Sequence, residues 1–263
     1  MSQYSKLQVQ LINQNSDIYE VFMPDNTTLQ TAAFELQIER GKVPGVTPVN
    51  IQGFNAAHPS AWRAAWELSN TQDWAYPASN VAMTFTSTLT ENIEVLVTGL
   101  DDTYAIKTAT VTFTNSNTGV VTSGTNSFFR INRMQIVKGN AADGISARNN
   151  GITYSYIGTG SGISQSSTFT VPAGYTFYLN RVNAYTTNNG TQYCQYRIYT
   201  QRYVDGVLTP QIVLTAPFTQ FYSTLRVVPR AYLEKTDIQW QLYQSNPAPG
   251  SIQLEGILVS NSY

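Results

Sequence analysis

The sequence predicts an all-β protein: two antiparallel β-sandwich domains, the C-terminal one jelly-roll-like, preceded by an extended N-terminal arm. Three observations predict it. Apolar and polar residues alternate over strand-length runs, the signature of half-buried strands. Turn signals rich in Gly, Asn, Asp and Pro separate those runs at roughly 8–12-residue intervals, the spacing of antiparallel sandwiches. Helical periodicity is almost absent. With 263 residues the chain can bury a sizeable core, and 12% aromatic content with a net charge of -1 is not the composition of a disordered chain.

The elements divide into an arm over 1–45, a first sandwich over 46–150 and a second over 151–263. The arm lacks regular turn spacing and carries a strand or two, at Leu7 to Leu11 and Ile18 to Met23. It would lie across a neighbour or pack on its own domain. Ser60–Leu68 is the one stretch with helical character, because Trp62 and Trp66 stand at i, i+4; an extended segment fits equally. In the first sandwich, strands are expected at Val81–Thr88, Ile93–Thr98, Ala109–Thr114 and Phe128–Val137. Ala109, Val111 and Phe113 share one face; Phe128 and Met134 oppose Phe129, Ile131 and Gln135. Turns are expected at Gly99–Asp102, Asn115–Gly119 and Ser123–Asn126. The Gly-, Ser- and Asn-rich segment 139–166 reads as a linker with one or two edge strands.

The second sandwich has strands at Ser167–Val171, Thr176–Tyr185, Gln192–Tyr203, Gln211–Leu214, Leu225–Val228, Asp237–Tyr243 and Ile252–Val259. Turns separate them at Pro172–Gly174, Asn188–Gly190, Asp205-Gly206 and Pro247–Gly250, and Asn-Gly and Asp-Gly are strong hairpin signals. This is the strand content of one sandwich or jelly roll.

Charge is scarce. Asp, Glu, Lys and Arg make up 12% of the chain, about half of the roughly 25% usual in soluble domains. The residues that do most chemistry near neutral pH are therefore few. The one histidine, His58, lies in a turn before Pro59 and reads as structural. The one cysteine, Cys194, reads as a small buried hydrophobe. One Cys and one His cannot form a four-ligand zinc site. Asp101-Asp102 is the best pair for calcium and reads instead as a β-turn. Gly158–Gly162 lacks the strand-to-helix context of a phosphate loop or nucleophile elbow. No carboxylate pair for glycoside hydrolysis stands out. No catalytic, cofactor-binding or metal-ligating residue is therefore assigned. Arg181, Arg197, Arg202, Arg226 and Arg230 do not make the basic stripe that nucleic acid requires. Tyr193, Tyr196, Tyr199 and Tyr203 could stack on sugars, although a regular strand puts Tyr196 opposite Tyr193 and Tyr199. No apolar run reaches the length of a membrane span. The N-terminal sequence has no apolar run behind basic residues, so synthesis in a cytoplasm without secretion is expected.

Several short segments in order carry a resemblance: Ile51–Asn55, Ala64–Leu68 with Trp74–Pro77, Val97–Asp102, Thr108–Thr112, Ser127–Arg133 and Thr170–Thr176. Over about residues 50–185 the chain resembles virion structural proteins of tailed phages, especially marine and cyanobacterial ones. The resemblance implies a β-sandwich component of a phage particle, made in the host cytoplasm and located in the virion. It implies a head-decoration protein or a tail, adaptor or fibre part, with no catalytic residues. Partners would be copies of itself and neighbouring capsid or tail proteins; many viral jelly rolls associate as trimers, but the sequence does not show its own symmetry. The alternative from the tyrosines is a carbohydrate-binding module taking a host glycan. A depolymerase on a β scaffold is the third reading.

Overall fold

The computed structural model describes residues 10–12, 18–20, 34–68, 73–187, 193–204 and 207–262. The chain forms two compact units, Met1–Lys42 and Val43–Tyr263. In the first, β1 (Gln10–Ile12) and β2 (Ile18–Glu20) pair antiparallel with Leu11 opposite Tyr19. The rest of the strand stretches expected at Leu7 to Leu11 and Ile18 to Met23 lies outside the described residues. A short helix, α1 (Phe34–Glu39), follows. Its end is closed by two backbone bonds, Gly41 N–H to Ile38 O (2.9 Å) and Lys42 N–H to Gln37 O (2.8 Å). That is the paired bonding of a Schellman cap.

The second unit is all β and antiparallel. Its strands are β3 (Val46–His58), β4 (Arg63–Ala64), β5 (Val81–Ala82), β6 (Thr84–Leu100), β7 (Ile106–Gly124), β8 (Ser127–Phe128) and β9 (Arg130–Lys138). They continue as β10 (Ile145–Asn149), β11 (Ile152–Ile157), β12 (Thr168–Thr170), β13 (Tyr175–Thr186) and β14 (Cys194–Val204). The last four are β15 (Val207–Phe218), β16 (Phe221–Tyr232), β17 (Asp237–Gln244) and β18 (Ala248–Ser260). One sheet runs β16-β13-β18-β3 and a second β12-β17-β14-β15, with β4 added to β17. Counting β3 and β12 to β18 as strands 1 to 8, the two orders are 6-3-8-1 and 2-7-4-5. These are the two interlocked Greek keys of a jelly roll. Between the sheets lie Phe177, Leu179, Tyr196, Ile198, Trp240 and Leu254, all fully buried.

Strand 1 of the jelly roll is β3, which the sequence boundaries assign to the first sandwich. Everything from β5 to β11 is an insertion between jelly-roll strands 1 and 2. The division at 150/151 is corrected accordingly, because β3 makes its ladder with β18, from Val46↔Val259 to His58↔Ala248. The insertion folds as a five-stranded sheet, β11-β10-β6-β7 with β9 also on β6, plus the β5–β8 ribbon. It has its own core of Phe85, Val95, Val97, Val111, Phe113 and Phe128. The segment read as a linker supplies β10, which lies between β6 and β11, and the edge strand β11. Asn150 and Gly151 form the two-residue turn between them, both at positive φ (47° and 81°).

Two further expectations change, and one left open is decided. Of the two readings of residues 60–68, the helix does not form: Arg63–Ala64 is a short strand, Ala64 bridges Gln241, and Ala65 exchanges hydrogen bonds with Ser167 through both its N–H and its carbonyl. Asn115–Gly119 is an irregularity inside β7, marked by the positive φ of Asn115 (48°), and not a turn between strands. In β9 the alternation breaks, because Gly99 pairs Ile131 and Thr98 pairs Arg133, leaving Asn132 as an extra residue. Ile131 therefore joins Met134 in the insert core. The freed Asn132 side chain binds the backbone of Thr170 as a strand would, accepting from its N–H and donating to its carbonyl, each at 2.9 Å. The Asn188–Gly190 and Asp205-Gly206 turns lie outside the described residues.

Besides the Asn132–Thr170 contact, two features secure the junction of connector, insertion and jelly roll. Ser167 is fully buried; its hydroxyl accepts from Ala65 N–H (2.8 Å) and donates to Trp240 O (2.6 Å). Against it packs Gly53, where a Cβ would come within 2.5 Å of Ala65 O and of Ser167 N. Second, Arg130 of β9 forms a buried bidentate pair with Asp237 of β17, at 2.8 Å to each carboxylate oxygen.

At the end of β3, His58 is buried with its ring nitrogens 3.0 Å from Pro59 O and 3.1 Å from Arg63 O. Burial, the largest influence, holds its pKa below the ordinary 6.5 even though both carbonyls favour the charged ring.

Three outcomes follow. Gly53→Ala should cost about 1–3 kcal/mol through backbone overlap, read from denaturant midpoints. Asp237→Asn strands a buried guanidinium and should cost about 3–5 kcal/mol, while Arg130→Met with Asp237→Leu should cost much less; urea unfolding of the single and double variants measures both. Because the folded pKa of His58 lies below the unfolded one, its contribution is complete above the unfolded value and declines as pH falls through it. Stability should therefore drop as pH falls below the ordinary value of 6.5, in the range where His is the side chain that ordinarily titrates. The imidazole NMR titration should give a midpoint below 6.5; one at or above it would contradict the burial argument.

Candidate functional site

Two surfaces stand out, a polar cleft and an apolar edge. The cleft, about 580 Å³, lies on the outer face of the β14–β17 sheet. The connector after β3 walls one side with Trp62, Trp74 and Tyr76, and Tyr203 and Leu208 close the other. Strand alternation builds its floor. Along β14, Cys194, Tyr196, Ile198 and Thr200 are buried, so Arg197, Tyr199 and Gln201 point outward. Register then sets Arg197 beside Gln241 and Tyr199 beside Gln239 on β17.

The floor is wired by side-chain amides. Arg197 Nε donates to Gln241 Oε1 (2.7 Å), and Gln241 Nε2 donates to Gln239 Oε1 (2.8 Å). Gln201 Nε2 donates to the Tyr199 hydroxyl (2.9 Å). The Arg197 guanidinium lies 4.5 Å from the Trp62 ring centre. At the cleft's inner end is the Arg130–Asp237 pair. Arg130 NH1 also donates to Pro77 O and Phe129 O, and the guanidinium faces Phe129 (3.8 Å) and Tyr76 (4.5 Å). Burial, with the Asp237 carboxylate nearby, holds the Tyr76 phenol well above its ordinary pKa.

The carboxylates here are occupied. Asp237 is bound by Arg130 and by the Thr170 hydroxyl (2.6 Å), and Asp73 pairs with Arg63. Arg197 has no carboxylate partner among the described residues.

The edge consists of β15 and β16, each at the margin of its sheet. Neither contains an acid, and their only charges are Arg226 and Arg230. Exposed apolar side chains include Val207, Ile212, Phe221 and Leu225. The register of β16 on β13 jumps from Leu179↔Arg230 to Arg181↔Leu225, so four residues, 226–229, face Asn180 alone. This bulge carries Val227 and Val228 at 98% and 78% exposure.

The residues singled out in the sequence fall as follows. Tyr199 and Tyr203 line the cleft; Tyr193 packs against Tyr243 (6.3 Å); Tyr196 is in the jelly-roll core. Cys194 is buried in the jelly-roll unit, with its sulfur in no disulfide. The Asp101 carboxylate accepts from Thr103 Oγ1 (2.6 Å), Thr103 N–H and Ala105 N–H, bonds that lower its pKa, the Thr103 hydroxyl most. The Gly158 N–H donates to Glu67 (2.8 Å), whose pKa burial raises. Arg181 pairs with Glu255 (3.2 Å), and Arg202 and Arg230 flank a smaller groove of about 210 Å³. Among the described residues, no group of three or more His, Cys, Asp and Glu side chains could hold a metal, and no helix is long and apolar enough to cross a membrane. Sequence reasoning missed Gln201, Gln239, Gln241 and Trp62 as one site. The period-2 Gln pattern at 239 and 241 was the available signal; the wall from the connector had none.

No protein-family model and no curated protein sequence matches this chain.

Proposed function

We propose that this protein is a non-enzymatic structural subunit of a phage virion, an accessory head protein of the decoration type that associates with copies of itself and with neighbouring virion proteins. The observation that carries the reading is the apolar edge of β15 and β16, with Val227 and Val228 raised on a bulge. Monomers rarely leave large contiguous apolar surfaces bare, and edge strands are ordinarily guarded by charges, above all lysine. Here β15 and β16 have no lysine and no acid.

The form of association follows from three prolines. Pro210 and Pro217 on β15 and Pro229 in the β16 bulge each lack a ladder donor. The edge therefore resists sheet extension by another strand, and its contacts come from side-chain packing. A second copy suits it, because a net charge of -1 gives almost no repulsion between copies. The arginine-paired state of both cleft carboxylates, Asp73 and Asp237, supports the non-enzymatic part of the reading.

Light scattering coupled to gel filtration should show an oligomer. Val227→Asp with Val228→Asp should convert it to a monomer that keeps its far-UV circular dichroism and cooperative unfolding, because both side chains are exposed in the single chain. A monomeric unmodified protein would defeat assembly through this edge. Mass spectrometry of purified phage particles should find the chain in stoichiometric amount, and particles without it would remove the virion reading.

A further inference from the structure

We propose that the cleft on the outer face of the β14–β17 sheet binds a saccharide bearing a carboxylate, with Arg197 taking the acid group. The proposal does not rest on the virion reading.

The first argument is charge. Two of the three cationic side chains in the cleft are neutralised in place, Arg63 by Asp73 and Arg130 by Asp237. Arg197 is the remainder, so the cleft is left with one uncompensated positive charge among its described residues. Its head group is also oriented before any ligand arrives. Nε is fixed by Gln241, whose side chain is buried, and the guanidinium plane is supported on Trp62. The atoms left over are the terminal N–H groups, the fork that matches a carboxylate. One such cation is too few for a polyphosphate or a nucleic-acid backbone, which contact several cations together.

The second argument is the balance of donors and acceptors. Gln241 uses its amide oxygen on Arg197 and its amide nitrogen on Gln239. That leaves the Gln239 N–H groups to the cleft as donors. Gln201 uses its nitrogen on Tyr199, which leaves its carbonyl as an acceptor and frees the Tyr199 hydroxyl proton to donate. Alternating donors and acceptors on a rigid sheet suit vicinal hydroxyls, each of which donates and accepts. The Tyr199 and Tyr203 rings supply the flat faces on which a pyranose can rest. An apolar ligand would leave these amides unpaired and is disfavoured.

Calorimetric titration with sialyllactose, an oligogalacturonate, neutral lactose and an oligo-aspartate peptide tests the proposal on the full chain. The acidic sugars should bind and lactose should bind more weakly. Arg197→Gln should weaken the acidic sugars by about tenfold or more, the size of one charge-assisted contact, and abolish their advantage over lactose. Tyr203→Ala, at a side chain already 55% exposed, should weaken acidic and neutral sugars alike without lowering the melting temperature. The proposal is overturned by no saccharide binding, by sugar binding that survives both substitutions, by equal binding of lactose and the acidic sugars, or by preference for the peptide.

Discussion

The Arg130 guanidinium is where three separately wound stretches of chain meet, and keeping it satisfied while buried constrains all three. Removing a cation and a carboxylate from water costs several kcal/mol each, and only near-complete hydrogen bonding offsets it. Here the pair is bidentate, NH1 reaches two backbone carbonyls, two aromatic faces cover the guanidinium, and Asp237 takes a further bond from Thr170. Each partner belongs to a different part of the molecule. Pro77 is in the connector, Phe129 and Arg130 are in the insertion, and Thr170 and Asp237 end and begin jelly-roll strands β12 and β17. Fixing Pro77 also fixes Tyr76 and Trp74 beside it, so the cleft wall inherits its position from the ion pair.

The same seam explains how a jelly roll accommodates an insertion between its first two strands. Insertions are tolerated where the chain leaves and returns at neighbouring points. Gly53 in β3 touches Ser167, the residue before β12, at backbone distance. Ser167 then ties both to Trp240 at the centre of the jelly-roll core. On the other side of the junction, Asn132 replaces a missing strand partner for Thr170. The extra residue that breaks the β9 alternation is thus the residue that joins the two sheets, as is common for bulges.

Local periodicity made most strands legible, because an alternating strand declares its own buried face: Ala109, Val111 and Phe113 are buried on one side of β7 as their spacing requires. The turn at Pro172–Gly174 was legible too, from its Pro and Gly. Pro172–Gly174 and the turn before Asp237 are joined by two backbone bonds, Val171 N–H to Thr236 O and Lys235 N–H to Val171 O. What stayed hidden was long-range. Nothing local in Val46–His58 says that it pairs with the last strand. Trp62 and Trp66 at helical spacing left helix and extended segment both open, and Ala64 and Ala65, held by β17 and Ser167, decide it by tertiary contact. The helix that does form, at Phe34–Glu39, lies in the arm where no helix was expected; the Gly41 stop behind it was the available signal. In the cleft, the tyrosines were legible and the glutamines were not, since an outward Gln is ordinary until the register sets it against an arginine.

Scarcity of charge gives each charge more weight. In a chain with few ionic groups, those that are buried must be matched, and Arg130 with Asp237 is. Those left unmatched have another reason to persist. Arg197 is held stiffly by an amide and an indole, an arrangement that restricts a flexible side chain and gains little by itself in open water. Arg226 and Arg230 interrupt an otherwise uncharged edge where acids would have been equally soluble. The two surfaces also answer to different constraints. The edge depends on the jelly roll, since among the described residues β15 and β16 pair with β14 and β13. The cleft needs the connector and insertion held by the ion pair. Loosening that pair should therefore alter what the cleft recognises before it alters how copies of the protein meet.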